Sequence, residues 1–137
     1  MVNVMAFMEW NDSYNLGIKE IDEQHQNLFA LVNKMYNYVV QGAEQNATRK
    51  ILEELIDYTL LHFATEEAEF KRQQYPKFEE HKQEHDDLVR IVWEFQGRVR
   101  EKSITISFEV LEMLSDWLKN HTTHSDLEYA KFIHSRQ

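Results

Sequence analysis

Seven histidines are spread through a chain of 137 residues that holds no cysteine. Without thiols, disulfides, cysteine nucleophiles and cysteine-ligated clusters drop out, and any metal chemistry falls to imidazole and carboxylate. Two pairs have the spacing for it, His62 with Glu66 and His81 with His85. On an α-helix, residues four apart lie about 40° and ~6 Å from one another, so each pair can address one point. Taken singly, these residues have ordinary readings. A lone histidine on an apolar face is usually a hydrogen-bonded core residue, and His62 with Glu66 could be a plain i,i+4 pair. The string His81-Lys-Gln-Glu84-His85 also matches the H-x-x-E-H of inverted zinc proteases. That match is short, the chain has no room for a protease cleft, and Glu84 falls off the seam toward solvent.

The elements that must carry these residues are helices. Three glycines and one proline are too little punctuation for an all-β or doubly wound fold. The spacing predicts one all-α domain over 1–137, an antiparallel up-down-up-down four-helix bundle with an irregular arm over 1–17. Helices are expected over about 19–40, 46–73, 76–100 and 105–133, with a distortion near 122–125. Gly42 ends the first and Asn46 caps the second. Pro76 suits the opening turn of the third, and Thr105 caps the fourth.

Stepping by three or four along each helix gives its core-facing stripe. The stripes read Ile21, His25, Leu28, Val32, Met35, Val39; then Ile51, Leu55, Tyr58, His62, Glu66, Phe70; then Phe78, His81, His85, Leu88, Val92, Phe95; then Leu111, Leu114, Leu118, His121, Ser125. Every apolar seam is interrupted by histidine, and only His124 and His134 lie off the seams. Counted along alternating directions at about 1.5 Å per residue, His25, His62/Glu66, His81/His85 and His121 fall within about two turns of one level. That many buried polar groups at one depth, left uncompensated, would cost several kcal/mol, and a metal removes the penalty.

Charge balance asks for a further carboxylate, and Asp126 is the candidate. It lies five residues after His121, about 140° around a regular helix, so an α-helical turn would aim it elsewhere. The intervening Thr122 and Thr123 are β-branched and Ser125-Asp126-Leu127-Glu128 reads as a capping box, so a break or a π-type widening between the two is expected to swing Asp126 inward. The plain alternative makes Asp126 a surface helix-cap residue.

Composition sets the outer limits. Twenty-four acidic against fifteen basic residues give a net charge of −9, which disfavours nucleic acid and anionic membrane as partners. No apolar run approaches the ~20 residues of a membrane span. Met1–Met8 is fairly apolar, but no Lys or Arg precedes it and Glu9 follows, so it does not read as a secretory signal. A cytoplasmic monomer is the expectation, with Glu67, Glu69, Glu79 and Glu80 on a solvated face.

The arm with Trp10, followed by Gly17-Ile-Lys-Glu-Ile-Asp-Glu-Gln-His25-Gln-Asn-Leu-Phe29, resembles the opening of the hemerythrins, in particular the bacterial ones. His62-Phe-Ala-Thr-Glu66-Glu, His81-x-x-x-His85 and Trp117-Leu-Lys-Asn-His121-x-x-x-x-Asp126 resemble that family's other signatures, in order, over nearly the whole chain. The resemblance implies two non-heme irons joined by an oxo or hydroxo bridge, with O₂ as the ligand. It gives His81, His85 and His121 to one iron, His25 and His62 to the other, and makes Glu66 and Asp126 bridges to both. Counting donors, the three-histidine iron is six-coordinate and the two-histidine iron keeps one open position, where alone a small molecule can bind.

By position in that family, Leu28, Phe63, Trp117, Leu118 and Thr122 surround the open position. A dry apolar wall there keeps out water and protons that would leave the irons oxidised. Thr122 departs from the bulky aliphatic often found at its place. The resemblance therefore implies a reversible oxygen carrier or store, not an enzyme, with an O₂-consuming enzyme as recipient. Two alternatives stand beside it: a di-iron oxidase or peroxidase, and a module that senses O₂, redox state or iron. Carboxylate-rich sites with Glu-x-x-His motifs serve the oxidase chemistry, whereas five histidines and two carboxylates suit it less.

Overall fold

A computed structural model of the chain describes residues 7–101 and 106–136. Five α-helices account for most of them: α1 (Lys19–Val40), α2 (Gln45–Arg72), α3 (Phe78–Arg100), α4 (Phe108–His121) and α5 (Leu127–His134). A π-helical turn, Thr122–Asp126, joins α4 to α5 so that the two form one continuous fourth rod. The architecture is a four-helix bundle without strands among the described residues. α1 packs on both α2 and α4, and α2 packs on α3. Among the described residues, no helix is long and apolar enough to cross a membrane.

The helix ends follow local chemistry. Gly42 sits at φ +68° beyond α1, with Ala43 N–H donating to Tyr38 O and Gly42 N–H to Val39 O. That is a Schellman ending, as glycine at this position favours. α2 ends the same way without glycine: Gln74 takes φ +55°, Tyr75 N–H donates to Phe70 O at 2.9 Å, and the Tyr75 ring packs on Phe70. Three expected caps need correction or fall outside. Asn46 lies inside α2, which starts at Gln45 after Glu44, so its side chain caps nothing. Pro76 precedes α3, because the chain turns from Tyr75 to Phe78 before the helix opens. Thr105 lies outside the described residues, as does the start of the arm over 1–6; α4 begins at Phe108 after Ser107.

The described part of the arm holds a short 3₁₀ turn, Asp12–Tyr14, and is pinned to α1. Asp22 accepts from Leu16 N–H and Gly17 N–H, and Asn33 exchanges two hydrogen bonds with the Met8 backbone. Trp10 and Tyr14 both meet the Phe29 ring edge-on.

The core is divided in two. One apolar cluster holds Leu28, Phe29, Leu55, Phe63, Leu88 and Leu118 among others; a smaller one holds Leu16, Ile21, Phe70, Tyr75, Tyr129 and Ala130. Between them, on every rod, lies a polar residue of the layer described next: His25 follows Ile21, Glu66 precedes Phe70, His85 precedes Leu88, and His121 follows Leu118. The two clusters seal that layer from both ends of the bundle.

Candidate metal centre

Seven side chains meet in this layer, and all are buried: His25, His62, Glu66, His81, His85, His121 and Asp126. α1 contributes His25, α2 His62 and Glu66, α3 His81 and His85, and the fourth rod His121 and Asp126. Asp126 arrives through the π turn. Had α4 continued regularly, the fourth stripe would have passed from His121 to Ser125. In the structure Ser125 is only half-buried, and Thr122, Asp126, Tyr129 and Ala130 take the core-facing positions. The surface-cap reading of Asp126 therefore fails: Asp126 is helical, makes no cap hydrogen bond and is 1 % exposed.

The donors form two overlapping clusters, each with ligand atoms within 4.8 Å of one another. One holds Glu66, His81, His85, His121 and Asp126; the other holds His25, His62, Glu66 and Asp126. Glu66 and Asp126 belong to both. Within the layer, His81 Nε2 is 2.9 Å from Asp126 Oδ1, His25 Nε2 3.0 Å from Asp126 Oδ2, and His62 Nε2 3.0 Å from Glu66 Oε1. His85 Nε2 and His121 Nε2 lie 3.0 Å apart.

Apart from the His85–His121 contact, closeness here does not mean hydrogen bonding. Both oxygens of Glu66, both of Asp126, His25 Nε2 and His81 Nε2 are buried without a hydrogen-bond partner. Such groups cost about 1–3 kcal/mol each when left unsatisfied. Lone pairs that converge on common points instead of on one another's protons are what cations held between them require, so the donor set fits a metal pair. Imidazole with carboxylate and no thiolate matches borderline divalent ions such as Fe(II).

Protonation tells the same story. Burial works against a charged His121, but Asp126 and Glu84 outweigh it and push the imidazole up to about 10. Burial likewise opposes ionised Asp126, yet His121, His25 and His81 hold it well below the ordinary carboxylate range. Glu66 is brought to about 2: burial and Asp126 raise it, and His62 and His85 more than compensate.

Three outer partners went unread in the sequence. His62 Nδ1–H donates to Gln24 Oε1 at 2.7 Å, His85 Nδ1–H to Glu67 Oε2 at 2.9 Å, and His121 Nδ1–H to Glu84 Oε2 at 3.1 Å. Glu67 and Glu84 were expected to face solvent; Glu84 is half-exposed as expected, whereas Glu67 is partly buried. The bond to His121 holds Glu84 at about 2, against a burial effect of opposite sign. The available signal was positional: Glu84 precedes His85 on α3, a flank from which a long side chain reaches the ring on the next rod. The other off-seam histidines are structural. His124 Nδ1–H donates to Asn120 O and His134 Nε2–H to Leu16 O.

Leu28, Phe63, Trp117 and Leu118 line an apolar cavity of about 40 Å³ beside the layer. Phe63 stacks on His85, ring centroids 3.7 Å apart and nearly parallel, and Trp117 stacks on His121 at 4.4 Å. Thr122 is fully buried next to them but is not part of that lining.

Comparison with known proteins points to one family. The model of the hemerythrin HHE cation binding domain matches residues 16–133. A bacteriohemerythrin of Pseudomonas aeruginosa is 36% identical over 129 residues, 94% of this chain and 83% of its own length. A bacteriohemerythrin of Methylococcus capsulatus is 32% identical over 127 residues, 92% of this chain and 96% of its own. A solved wild-type hemerythrin superposes with a TM-score of 0.88 at 31% identity, covering 92% of this chain and 97% of that one.

Proposed function

This chain belongs to the hemerythrin family, and we propose that it is a reversible O₂ carrier or store working through a non-heme di-iron centre. The observation that carries the reading is the sharing of Glu66 and Asp126 between two unequal donor clusters. His81, His85 and His121 would hold one iron and His25 and His62 the other, with Glu66 and Asp126 available to both. Such a pair would supply the two-electron redox chemistry that reversible O₂ binding needs.

The protein's own part is to keep that exchange reversible. Three imidazoles beside two shared carboxylates would fill one iron's positions, and two would leave the other with an opening. Leu28, Phe63, Trp117, Leu118 and Thr122 enclose that opening, and the first four supply apolar surface that excludes water. Gln24, Glu67 and Glu84 fix the tautomer and orientation of three ligand rings, so each Nε2 lone pair faces inward. Both clusters are complete within one chain, so a monomer is competent, and an O₂-consuming enzyme is the natural recipient of what it releases.

Metal content per chain, followed by an anaerobic-to-aerobic optical titration, tests the proposal. Two irons and a coloured adduct that vacuum removes are the expected results. Continued turnover with a reductant would make the protein an oxidase or peroxidase instead, and fewer than two irons would remove the basis of the reading.

A further inference from the structure

Four of the five described threonines return their hydroxyl to the carbonyl four residues back. Thr48 donates to Glu44 O at 3.2 Å, Thr59 to Leu55 O at 2.7 Å, Thr65 to Leu61 O at 3.0 Å and Thr123 to Lys119 O at 2.8 Å. This back-bonding is the ordinary refuge of a helical hydroxyl. Thr122 does not use it. Its side chain is fully buried, and Oγ1 has no hydrogen-bond partner.

The position of that hydroxyl matters. Thr122 lies four residues after Leu118, which lines the apolar cavity, and four before Asp126, which belongs to both donor clusters. Residues four apart share a helix face. The stripe Leu118–Thr122–Asp126 therefore runs from the cavity to the centre, and Thr122 stands at the boundary. A methyl group would pack there as well and leave nothing unpaired. A hydroxyl at this boundary is a buried donor with no protein acceptor.

Resting on the di-iron reading, we propose that the Thr122 hydroxyl donates a hydrogen bond to a small anionic ligand at the open position of the centre. It is then a specificity-determining residue that favours ligands able to accept that bond. The hydroxyl's proton stays on Oγ1, and no bond other than the hydrogen bond is made or broken.

Azide is the probe, titrated optically into the iron-loaded, oxidised protein, with Thr122→Val and Thr122→Ser compared against the unsubstituted chain. Valine keeps the shape and removes the donor; it should weaken azide binding about tenfold, and serine should recover most of the loss. Metal-free Thr122→Val should melt at or above the temperature of the unsubstituted protein, because an unpaired buried hydroxyl has been removed. A hydroxyl that served only the fold would lower that temperature and leave azide binding alone. Equal azide affinity in Thr122→Val and the unsubstituted protein overturns this proposal and leaves the di-iron reading standing. An unsubstituted protein that takes up iron but binds no azide, or takes up no iron, overturns both.

Discussion

Removing the metal should cost this protein much of its thermal stability. In the metal-free fold the four carboxylate oxygens of Glu66 and Asp126 and the inner nitrogens of His25 and His81 are buried without hydrogen bonds. Cations that bind the folded state alone stabilise it by RT ln(1 + [M]/Kd), about 2.7 kcal/mol per site at a hundredfold excess over Kd. Two sites give about 5 kcal/mol. For a chain of 137 residues, each kcal/mol moves Tm by roughly 3–5 °C. Anaerobic reconstitution with ferrous iron should therefore raise the melting temperature by about 15–25 °C over chelator-treated protein, followed by circular dichroism. Asp126→Ala, which removes a donor common to both clusters, should abolish most of that rise, whereas His25→Ala should spare part of it. A loaded and an emptied protein melting within about 3 °C of each other would refute the reasoning, because the layer would then be self-sufficient.

Glu67→Gln or Glu84→Gln should weaken iron binding about 10–100-fold, measured by chelator competition, with the fold intact by circular dichroism. Metal-free protein should lose stability to denaturant as pH rises from 6.5 toward 10. The raised His121 contributes fully below its ordinary value of 6.5 and nothing above about 10, while Glu66 and Asp126 stay ionised throughout. A flat profile over that window would contradict the assignment. Thr122→Ile should slow autoxidation of the oxygenated protein in stopped-flow by taking a hydroxyl away from the opening; unchanged or faster decay counts against it. Gly17→Ala should destabilise by about 1–2 kcal/mol in denaturant titration, since Gly17 holds φ +76° and a new Cβ would meet His134 Nε2 at 3.0 Å. Iron content should not change.

The fold and the inner layer were legible because both are periodic. A seam that steps by three or four, broken by histidine on every rod, survives errors of a few residues at the helix ends. The widened turn could be read for the same reason: five residues from His121 to Asp126 fit a shared site only if the helix departs from 3.6 per turn. What lay off the seam could not be read. Glu67 and Glu84 carry the same residue type as the exposed Glu79 and Glu80, and only the tertiary placement of His85 and His121 tells them apart. The Asn46 and Pro76 caps failed because hydrogen bonds at either end of α2 follow the path of the linker. Residue type alone does not fix that path. The Gln74 ending shows the converse: packing of Tyr75 on Phe70 imposes a left-handed residue where no glycine announces one.

The outer partners divide unevenly between the two clusters, and the division has a chemical sense. His85 and His121, in the three-imidazole cluster, each give their Nδ1–H to a carboxylate, Glu67 and Glu84. His62, in the two-imidazole cluster, gives its proton to the neutral amide of Gln24, whose Nε2–H₂ in turn donates to Thr65. A carboxylate partner makes an imidazole a stronger donor and an amide does so less. In an iron-loaded centre the three-imidazole cluster would thus hold its metal with the more basic rings, and the two-imidazole cluster with the less basic one. Strong ligation where nothing has to bind would anchor the pair. Weaker ligation at the other cluster would leave its iron a better acceptor for an incoming ligand and disfavour the higher oxidation that would trap it. On this argument Gln24→Glu, which converts the neutral partner into a third carboxylate, should lower the reduction potential of the centre and weaken reversible binding, and Glu84→Gln should raise it. Potentials that move together in the same direction would mean that the asymmetry has no electronic role.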